Sequence, residues 1–161
     1  MRILVHPGGR VRLRAAERAE YERLALAWYQ DPEVLRFSEG GSPPYAPEQI
    51  ARMFEVLSEK GEVYFIEVRV CAAWRPVGDA ALSPDALPIV IGRPEDRGRR
   101  VGTEVLQLLV ARARELGWKT IALAGIDPSN VRALRLFARG GFVAVGAGAN
   151  GTISMRMDLA R

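Results

Sequence analysis

Arginines and glycines are concentrated in one short segment, Arg93–Thr103, whose sequence is Arg-Pro-Glu-Asp-Arg-Gly-Arg-Arg-Val-Gly-Thr. It lies between a predicted short strand and the longest predicted helix. The first turn of a helix leaves four backbone N–H groups without intrahelical acceptors and carries the positive end of the helix dipole. Small residues let an anion approach that backbone, and guanidinium groups add charge-assisted hydrogen bonds. The segment is therefore a candidate phosphate or pyrophosphate cradle. The alternative is a charged surface loop whose glycines serve only turn geometry.

Two familiar phosphate-binding motifs are absent from this segment. No Gly-Lys-Ser/Thr follows it, which excludes a Walker A loop, and Gly-x-Gly-x-x-Gly is missing, which excludes the dinucleotide fingerprint. If the segment binds a phosphorylated ligand, it does so with a different loop.

The composition limits the other chemistry available to the chain. Its 161 residues, 48% hydrophobic and 26% charged, predict one ordinary globular domain spanning residues 1–161. The single cysteine, Cys71, excludes an internal disulfide and a cysteine-based zinc site, and the single histidine, His6, argues against histidine catalysis and histidine-rich metal sites. The net charge of +4 comes from 21 arginines and two lysines against 19 acidic residues. Arginine suits planar anions such as phosphates, although a GC-rich coding sequence would give the same bias.

Hydrophobic periodicity and turn residues predict a mixed α/β fold, with the element order β-α-α-β-β-β-α-β-α-β-β in a single mixed sheet covered by helices on both faces. The N-terminal segment around His6 is expected to be flexible and to have no role. The predicted elements are strands at 11–14, 63–70, 77–82, 89–92, 119–126, 142–145 and 152–159, and helices at 16–28, 47–60, 101–116 and 128–139, with a further turn beginning at 32–37. The strand at 119–126 is almost wholly apolar, so both of its faces are expected to be buried.

Two motifs on these elements together resemble those of the GCN5-related N-acetyltransferase (GNAT) superfamily. The first is Gln/Arg-x-x-Gly-x-Gly/Ala, in which Arg97 fills the first position, Gly102 fills the last, and Arg100 replaces the middle glycine. The second is a strand followed by Asn130 at a helix start, with Gly-Phe after that helix. The resemblance extends over about residues 11–159 and implies a GNAT-like acyl-CoA N-acyltransferase fold.

The resemblance implies that acetyl-CoA binds in a V-shaped opening between the strands at 89–92 and 119–126. Asn130 would hydrogen-bond the pantetheine arm, and the alternative is that it only caps its helix. Backbone groups near Ile91 and Gly92 would pair with the pantetheine amides. The pyrophosphate would be held by the N–H groups of Arg97, Gly98, Arg99, Arg100, Val101, Gly102 and Thr103.

The implied reaction is direct transfer of an acetyl group from the thioester to a primary amine of a small molecule or a protein N-terminus. Many members of the family place a tyrosine near the sulfur as the acid that protonates the leaving thiolate, and Phe137 stands at that position here. Because phenylalanine cannot donate a proton, a non-catalytic acyl-CoA-binding or regulatory module is the alternative function.

An amine must lose a proton before or during its attack, so a carboxylate near the opening is the natural candidate for a general base. Asp79 and Glu67 lie in predicted strands beside the expected cleft. The alternative for both is a solvent-facing carboxylate or an arginine partner. Tyr64, Tyr45 and Glu39 are further residues that could reach the acceptor.

The expected partners are acetyl-CoA and an amine acceptor, without a metal, a nucleic acid or a membrane. The basic charge comes without a helix-turn-helix, RNA-recognition or zinc-finger signature. The sequence shows no signal peptide and no membrane-spanning stretch, and its one cysteine is free. The cytoplasm is therefore the expected location. A homodimer is left open.

Overall fold

The computed structural model describes residues 1–39 and 42–159, and the side chains of residues 37–39 are not among those described. Thirteen strands and helices follow one another along the chain, and short 3₁₀ turns lie at Pro94–Asp96 and Ala149–Gly151. The strands and helices are β1 Ile3–Val5, β2 Val11–Ala15, α1 Arg18–Trp28, α2 Pro32–Glu39, α3 Pro47–Lys60, β3 Glu62–Val70, β4 Ala73–Leu82, β5 Ile89–Ile91, α4 Val101–Glu115, β6 Thr120–Ile126, α5 Val131–Arg139, β7 Val143–Ala147 and β8 Ile153–Asp158. The predicted mixed α/β class is confirmed. The observed element order differs from the predicted one by an added strand, β1, and an added helix, α2, where only a turn was expected.

The strands form two antiparallel sheets instead of the single mixed sheet predicted. One has the order β1-β2-β3-β4-β5 and the other β6-β8-β7. Within the described residues no ladder joins β5 to β6. The separation has local causes: β5 is only three residues long, and β6 has a register shift between Leu123 and Ile126, with Gly125 at a φ of +74°. Such an irregularity bends a strand away from regular pairing.

Each face of the larger sheet has its own apolar core. On β3, Val63 and Phe65 pack with the apolar side chains of α1, α2 and α3. Tyr64 and Ile66 alternate with them and pack with α4 and α5. The period of two along a strand assigns residues to these faces, and Phe65 lies opposite Asp79 in the β3–β4 register.

The prediction that both faces of β6 are buried was wrong. Ile121 and Leu123 are buried against α4, whereas Ala122 and Ala124 on the other face are exposed. The apolar residues of α1, α2 and α3 cluster with β3 and β5, so they cover the larger sheet and leave this face of the smaller one open.

The prediction of a flexible N-terminus was also wrong. Strand β1 pairs antiparallel with β2, which fixes the N-terminal residues to the edge of the larger sheet. His6 then continues from the strand, and its Nε2 lies 2.6 Å from the Gln107 side-chain oxygen. Its Nδ1 accepts the N–H of Gly8 at 3.0 Å, so the ring ties the β1–β2 turn to α4.

Candidate functional site

The loop before α4 contains two residues in the left-handed backbone region. Gly98 has a φ of +74° and Arg100 a φ of +64°. Arg100 is the N-cap of α4, where the family motif has glycine. The arginine therefore keeps the tight turn, at the cost of a conformation that a side chain with a Cβ disfavours by about 1–2 kcal/mol.

The start of α4 presents a row of free backbone donors. Within residues 1–39 and 42–159, no hydrogen-bond acceptor meets the N–H groups of Val101, Gly102 and Thr103, and the first backbone N–H bonded to the turn is that of Glu104, to Arg100. A Cβ built on Gly102 would meet only two Leu136 methyl groups, at 3.7 and 3.8 Å. The helix start therefore offers donors and open space to an anion.

Replacing Arg100 with glycine separates two effects of this residue, the strain of its left-handed backbone and the contact of its side chain with a ligand. We expect Arg100→Gly to raise the free energy of unfolding by about 1 kcal/mol, because glycine adopts the left-handed conformation without strain. We expect a several-fold weaker affinity for a phosphorylated ligand, because one charge-assisted contact is lost. Urea unfolding and calorimetric titration measure the two effects, and a destabilised variant would show that the side chain has a structural role.

The four arginines of the loop do not share one role. Arg93 pairs with Glu95 at 2.6 Å. Arg97 is largely buried: its Nη1 donates to Glu33 at 2.9 Å and its Nη2 to Asp31 at 3.1 Å. Its guanidinium therefore joins the loop to the start of α2 and does not face a phosphate. Arg99 and Arg100 are exposed, and in the described part of the chain no acidic group pairs with either. They are the two that remain available to an anion.

Ile91 and Gly92, the two residues whose backbone was expected to pair with pantetheine, differ in what their N–H groups contact. Gly92 donates its N–H to the Val77 carbonyl on β4 at 2.8 Å, so this group is already bonded inside the sheet. Backbone groups alternate in direction along an antiparallel strand, so those of Ile91 point to the free edge of the sheet. The Ile91 carbonyl accepts from Arg97 Nε at 2.9 Å. The Ile91 N–H is the group left at this edge for a ligand.

Asn130 is the N-cap of α5, as the alternative interpretation held. Its side-chain oxygen accepts the N–H of Ala133 at 3.2 Å. An amide has two further donors on its nitrogen, and among the described residues nothing accepts from them. Capping and ligand binding are therefore compatible, since they use different atoms.

Aspartate at this position tests the two roles separately. Asn130→Asp is expected to keep the free energy of unfolding within about 0.5 kcal/mol, because aspartate caps as well as asparagine. The affinity for acetyl-CoA is expected to fall about tenfold, because the amide donor is gone. Calorimetry and urea unfolding report both quantities, with Asn130→Ala as the variant that loses cap and donor together. If Asn130→Asp bound acetyl-CoA as tightly as wild type, capping α5 would be the sole role of Asn130.

Phe137, at the position of the family's acid, is buried in the core. Its ring meets Phe142 edge-on at 5.4 Å, and its exposed fraction is 8%. No hydroxyl exists there to protonate a thiolate. The side chain closes the core beneath α5.

Asp79 is a buried ionisable group. It lies in β4, between Phe65 on β3 and Val90 on β5, and only 2% of it is exposed. Burial raises its pKa to about 7, although hydrogen bonds from Tyr29 and Tyr21 act in the opposite direction. A carboxylate that titrates near neutral pH is suited to general-base catalysis.

Glu67 lies on the same face but has a different environment. Its two oxygens accept from Arg12 Nε at 2.7 Å and from the Arg14 guanidinium at 3.0 Å. The arginine-partner alternative therefore describes Glu67. Among the described residues no arginine pairs with Asp79, so Asp79 stays the candidate base.

The other three residues proposed to reach the acceptor, Tyr64, Tyr45 and Glu39, do not lie together around Asp79. Tyr64 faces α4, on the other side of the sheet from Asp79, and donates to Glu62 at 2.5 Å. Tyr45 is half-buried and stacks on Tyr29, with ring centres 5.2 Å apart. The side chain of Glu39 lies outside the described residues.

Sequence reasoning missed Tyr21 and Tyr29, the two residues that contact Asp79. The Tyr21 hydroxyl lies 3.5 Å from Asp79 Oδ2, and the Tyr29 hydroxyl lies 3.3 Å from Oδ1. Burial and the neighbouring Asp79 raise the pKa of both tyrosines. Their spacing of eight residues, with Ala25 between them, places them on one face of a helix and was the available signal.

Neither a metal cluster nor a membrane-spanning helix is found in the described residues. Residues 1–39 and 42–159 contain no group of three or more His, Cys, Asp or Glu side chains arranged to hold a metal ion. No helix described there combines the length and apolar character needed to cross a membrane.

Comparison with known proteins finds one family and several similar folds. A family model described as acetyltransferase (GNAT) domain matches residues 10–143. Comparison with curated protein sequences finds no match. Among solved structures, a domain from Methanocaldococcus jannaschii DSM 2661 is similar with a TM-score of 0.81 and 20% identity, over 92% of this chain and 97% of that one.

Two other similar structures contain ligands. Spermidine N-acetyltransferase from Vibrio cholerae, in complex with CoA and spermine, has a TM-score of 0.73 and 17% identity, over 93% of this chain and 96% of that one. The aminoglycoside acetyltransferase AAC(6')-Ib, in complex with coenzyme A and kanamycin, has a TM-score of 0.75 and 16% identity, over 92% and 94%. At these identities the similarity establishes the fold.

Proposed function

The chain belongs to the GNAT family of acetyltransferases, and from that membership we propose that it transfers the acetyl group of acetyl-CoA to a primary amine of a small molecule or a protein N-terminus. The observation that carries the proposal is the row of N–H groups at Val101, Gly102 and Thr103, beside the free edge of β5. The whole chain is proposed to form one domain, because the segments outside residues 10–143 supply strands to both sheets.

Acetyl-CoA would lie across the break between the two sheets. The N–H groups at the start of α4 would hold the pyrophosphate, with Arg99 and Arg100 adding charge. The Ile91 N–H would pair with pantetheine, and the Asn130 amide nitrogen would donate to the same arm. These residues come from the loop, from β5 and from the start of α5, which surround the separation between β5 and β6.

Asp79 would accept the proton that the amine loses on attack. Its raised pKa of about 7 means that a substantial part of the molecules carry the carboxylate at neutral pH. The departing thiolate is a fair leaving group, and with Phe137 at the acid position it would leave unassisted or take a proton from water.

The acceptor is proposed to be an amine that is protonated at neutral pH. Support comes from Asp79, because an amine that is protonated at neutral pH must lose a proton before its nitrogen can attack, and a carboxylate can accept that proton. Two similar proteins were solved with spermine or with kanamycin, so polyamines and aminoglycosides are reasonable first compounds to test.

The proposal is tested by incubating the protein with acetyl-CoA and a panel of spermidine, spermine, kanamycin and a short peptide with a free N-terminus. Released CoA thiol and the mass of the acetylated amine are the readouts. Binding of acetyl-CoA without release for any amine would favour the non-catalytic module. Absence of binding would refute both functions. A cytoplasmic location and a homodimer stay predictions.

A further inference from the structure

Arg100 is held in a backbone conformation that an arginine does not favour. Its φ of +64° lies in the left-handed region, and a residue with a Cβ stays there only where neighbouring contacts hold it. The φ angle of a residue depends on the orientation of the peptide unit before it, which here joins Arg99 to Arg100. Contacts to this peptide unit therefore decide whether the turn keeps its shape.

The Arg99 carbonyl is held from a distant part of the chain, the turn between β1 and β2. Nη2 of Arg10 donates to this carbonyl at 3.3 Å, across 89 residues of sequence. The same nitrogen donates to Oε2 of Glu104, in the first turn of α4. The Glu104 N–H in turn bonds to the Arg100 carbonyl at 3.1 Å. Both carbonyls before α4 are therefore tied to Glu104, one directly and one through Arg10.

The two members of this pair are themselves fixed in place. Glu104 is buried, and its other oxygen, Oε1, lies 3.1 Å from His6 Nδ1. The backbone carbonyl of Arg10 accepts the N–H of Arg69 on β3 at 2.8 Å. Gly8 packs closely on the same turn, since a Cβ built there would be 3.2 Å from the His6 ring and 3.4 Å from Glu104. The turn therefore gives Arg10 a firm support.

The orientation of the Arg99–Arg100 peptide unit matters to an anion. In a trans peptide unit the carbonyl and the N–H point in opposite directions, so the Arg100 N–H points away from Arg10. Within the described residues no acceptor meets this N–H, which adds a fourth free donor to the row at the start of α4. If the peptide unit turned over, the φ of Arg100 would become negative and the strain would be relieved. A carbonyl oxygen would then stand in place of the N–H and repel a phosphate.

We propose that Arg10 and Glu104 are positioning residues, which keep the turn at Arg100 in the shape that binds the pyrophosphate of acetyl-CoA; this inference rests on the proposed acetyl transfer. The Arg10 guanidinium acts through the Arg99 carbonyl, and the Glu104 carboxylate holds the guanidinium. A glycine at position 100 would adopt the left-handed conformation without strain. The arginine found there makes the support from the β1–β2 turn necessary.

A double-mutant cycle between Arg10→Met and Arg100→Gly tests this role, with calorimetric titration of acetyl-CoA as the measurement. In the wild-type background, Arg10→Met is expected to weaken binding about tenfold, because the unsupported turn relaxes. In the Arg100→Gly background the same substitution should cost no more than about threefold, because glycine keeps the turn without strain. An equal loss in both backgrounds would show that Arg10 acts only by its charge, and would overturn the proposal.

Glu104→Ala separates positioning from charge by the sign of its effect. If charge alone mattered, removing a carboxylate near the phosphates would strengthen acetyl-CoA binding. Loss of the partner of Arg10 should instead weaken binding several-fold, and Arg100→Gly should restore most of that loss. Tighter binding by Glu104→Ala would contradict a positioning role.

Arg114→Met is the matched control for Arg10→Met. It makes the same charge change near the other end of α4, about 20 Å along the helix, and should bind acetyl-CoA within about twofold of wild type. Urea unfolding without ligand checks that each variant is folded before it is titrated. A wild-type protein that binds no acetyl-CoA would refute the proposed function, and the positioning role with it.

Discussion

Asp79→Asn is expected to lower kcat by about 10²–10⁴-fold while acetyl-CoA still binds, because the amide cannot take up the proton that the amine loses. Asparagine has nearly the shape of aspartate. Its oxygen can accept from one of the Tyr21 and Tyr29 hydroxyls and its amide nitrogen can donate to the other, so the site should keep its geometry. Steady-state kinetics with a saturating amine measure the loss. Activity within threefold of wild type would remove Asp79 from the reaction.

The same substitution is expected to stabilise the fold above neutral pH. The pKa of Asp79 is raised from 3.8 to about 7, so the folded state holds this proton more tightly than the unfolded chain does. The wild type therefore loses stability as the pH rises from about 4 to about 7, and the loss is complete above the folded pKa. With about 1.4 kcal/mol for each pKa unit, a rise of about three units corresponds to a loss on the order of 4 kcal/mol.

Urea unfolding of wild type and Asp79→Asn at about pH 4.5 and about pH 8 isolates this contribution, because all other groups are shared. The advantage of the variant should grow with pH. A difference that is the same at both pH values would mean that Asp79 titrates normally. Lower activity combined with higher stability is expected of a buried group kept for its chemistry.

Gly102→Glu is expected to abolish measurable acetyl-CoA binding, because its carboxylate would stand among the N–H groups proposed to hold the pyrophosphate. Repulsion between the carboxylate and the phosphates, together with the added bulk, should weaken binding by at least about 100-fold. The fold should be retained, because an acidic side chain is favourable in the first turn of a helix. Calorimetric titration with acetyl-CoA measures the loss.

Gly102→Ala is the matched control for Gly102→Glu. A Cβ at this position would make only ordinary contacts with Leu136, and alanine favours the helix over glycine by about 1 kcal/mol. The alanine variant should therefore be more stable than wild type and yet bind acetyl-CoA more weakly than wild type, though better than Gly102→Glu. If Gly102→Glu binds as wild type does, the start of α4 is not the phosphate site.

Local features of the fold were predictable from the sequence because their causes are local. Helix α3 has the predicted bounds, Pro47–Lys60, because an apolar repeat, an initial proline and a following glycine define it within one stretch. The left-handed backbone at Arg100 was not predicted, because an arginine stands there in place of the motif glycine.

The chemistry of the site was less predictable because it depends on contacts between distant segments. Asp79 meets Tyr21 and Tyr29 across 58 and 50 residues, and no spacing rule connects positions so far apart. Arg97 was expected at the phosphates, but its side chain is held by Asp31 and Glu33 from α2. Such partners are known only once the helices have packed on the sheet.

The most direct test of acetyl transfer at this site is one assay of wild type, Asp79→Asn and Gly102→Glu with acetyl-CoA and the amine panel, followed by mass spectrometry of the amine. The account predicts an acetylated amine and an equal amount of released CoA with wild type, and little of either with both variants. Calorimetry in parallel should show acetyl-CoA bound by Asp79→Asn and unbound by Gly102→Glu. No acetylated amine from wild type, or equal yields from all three proteins, would contradict the account.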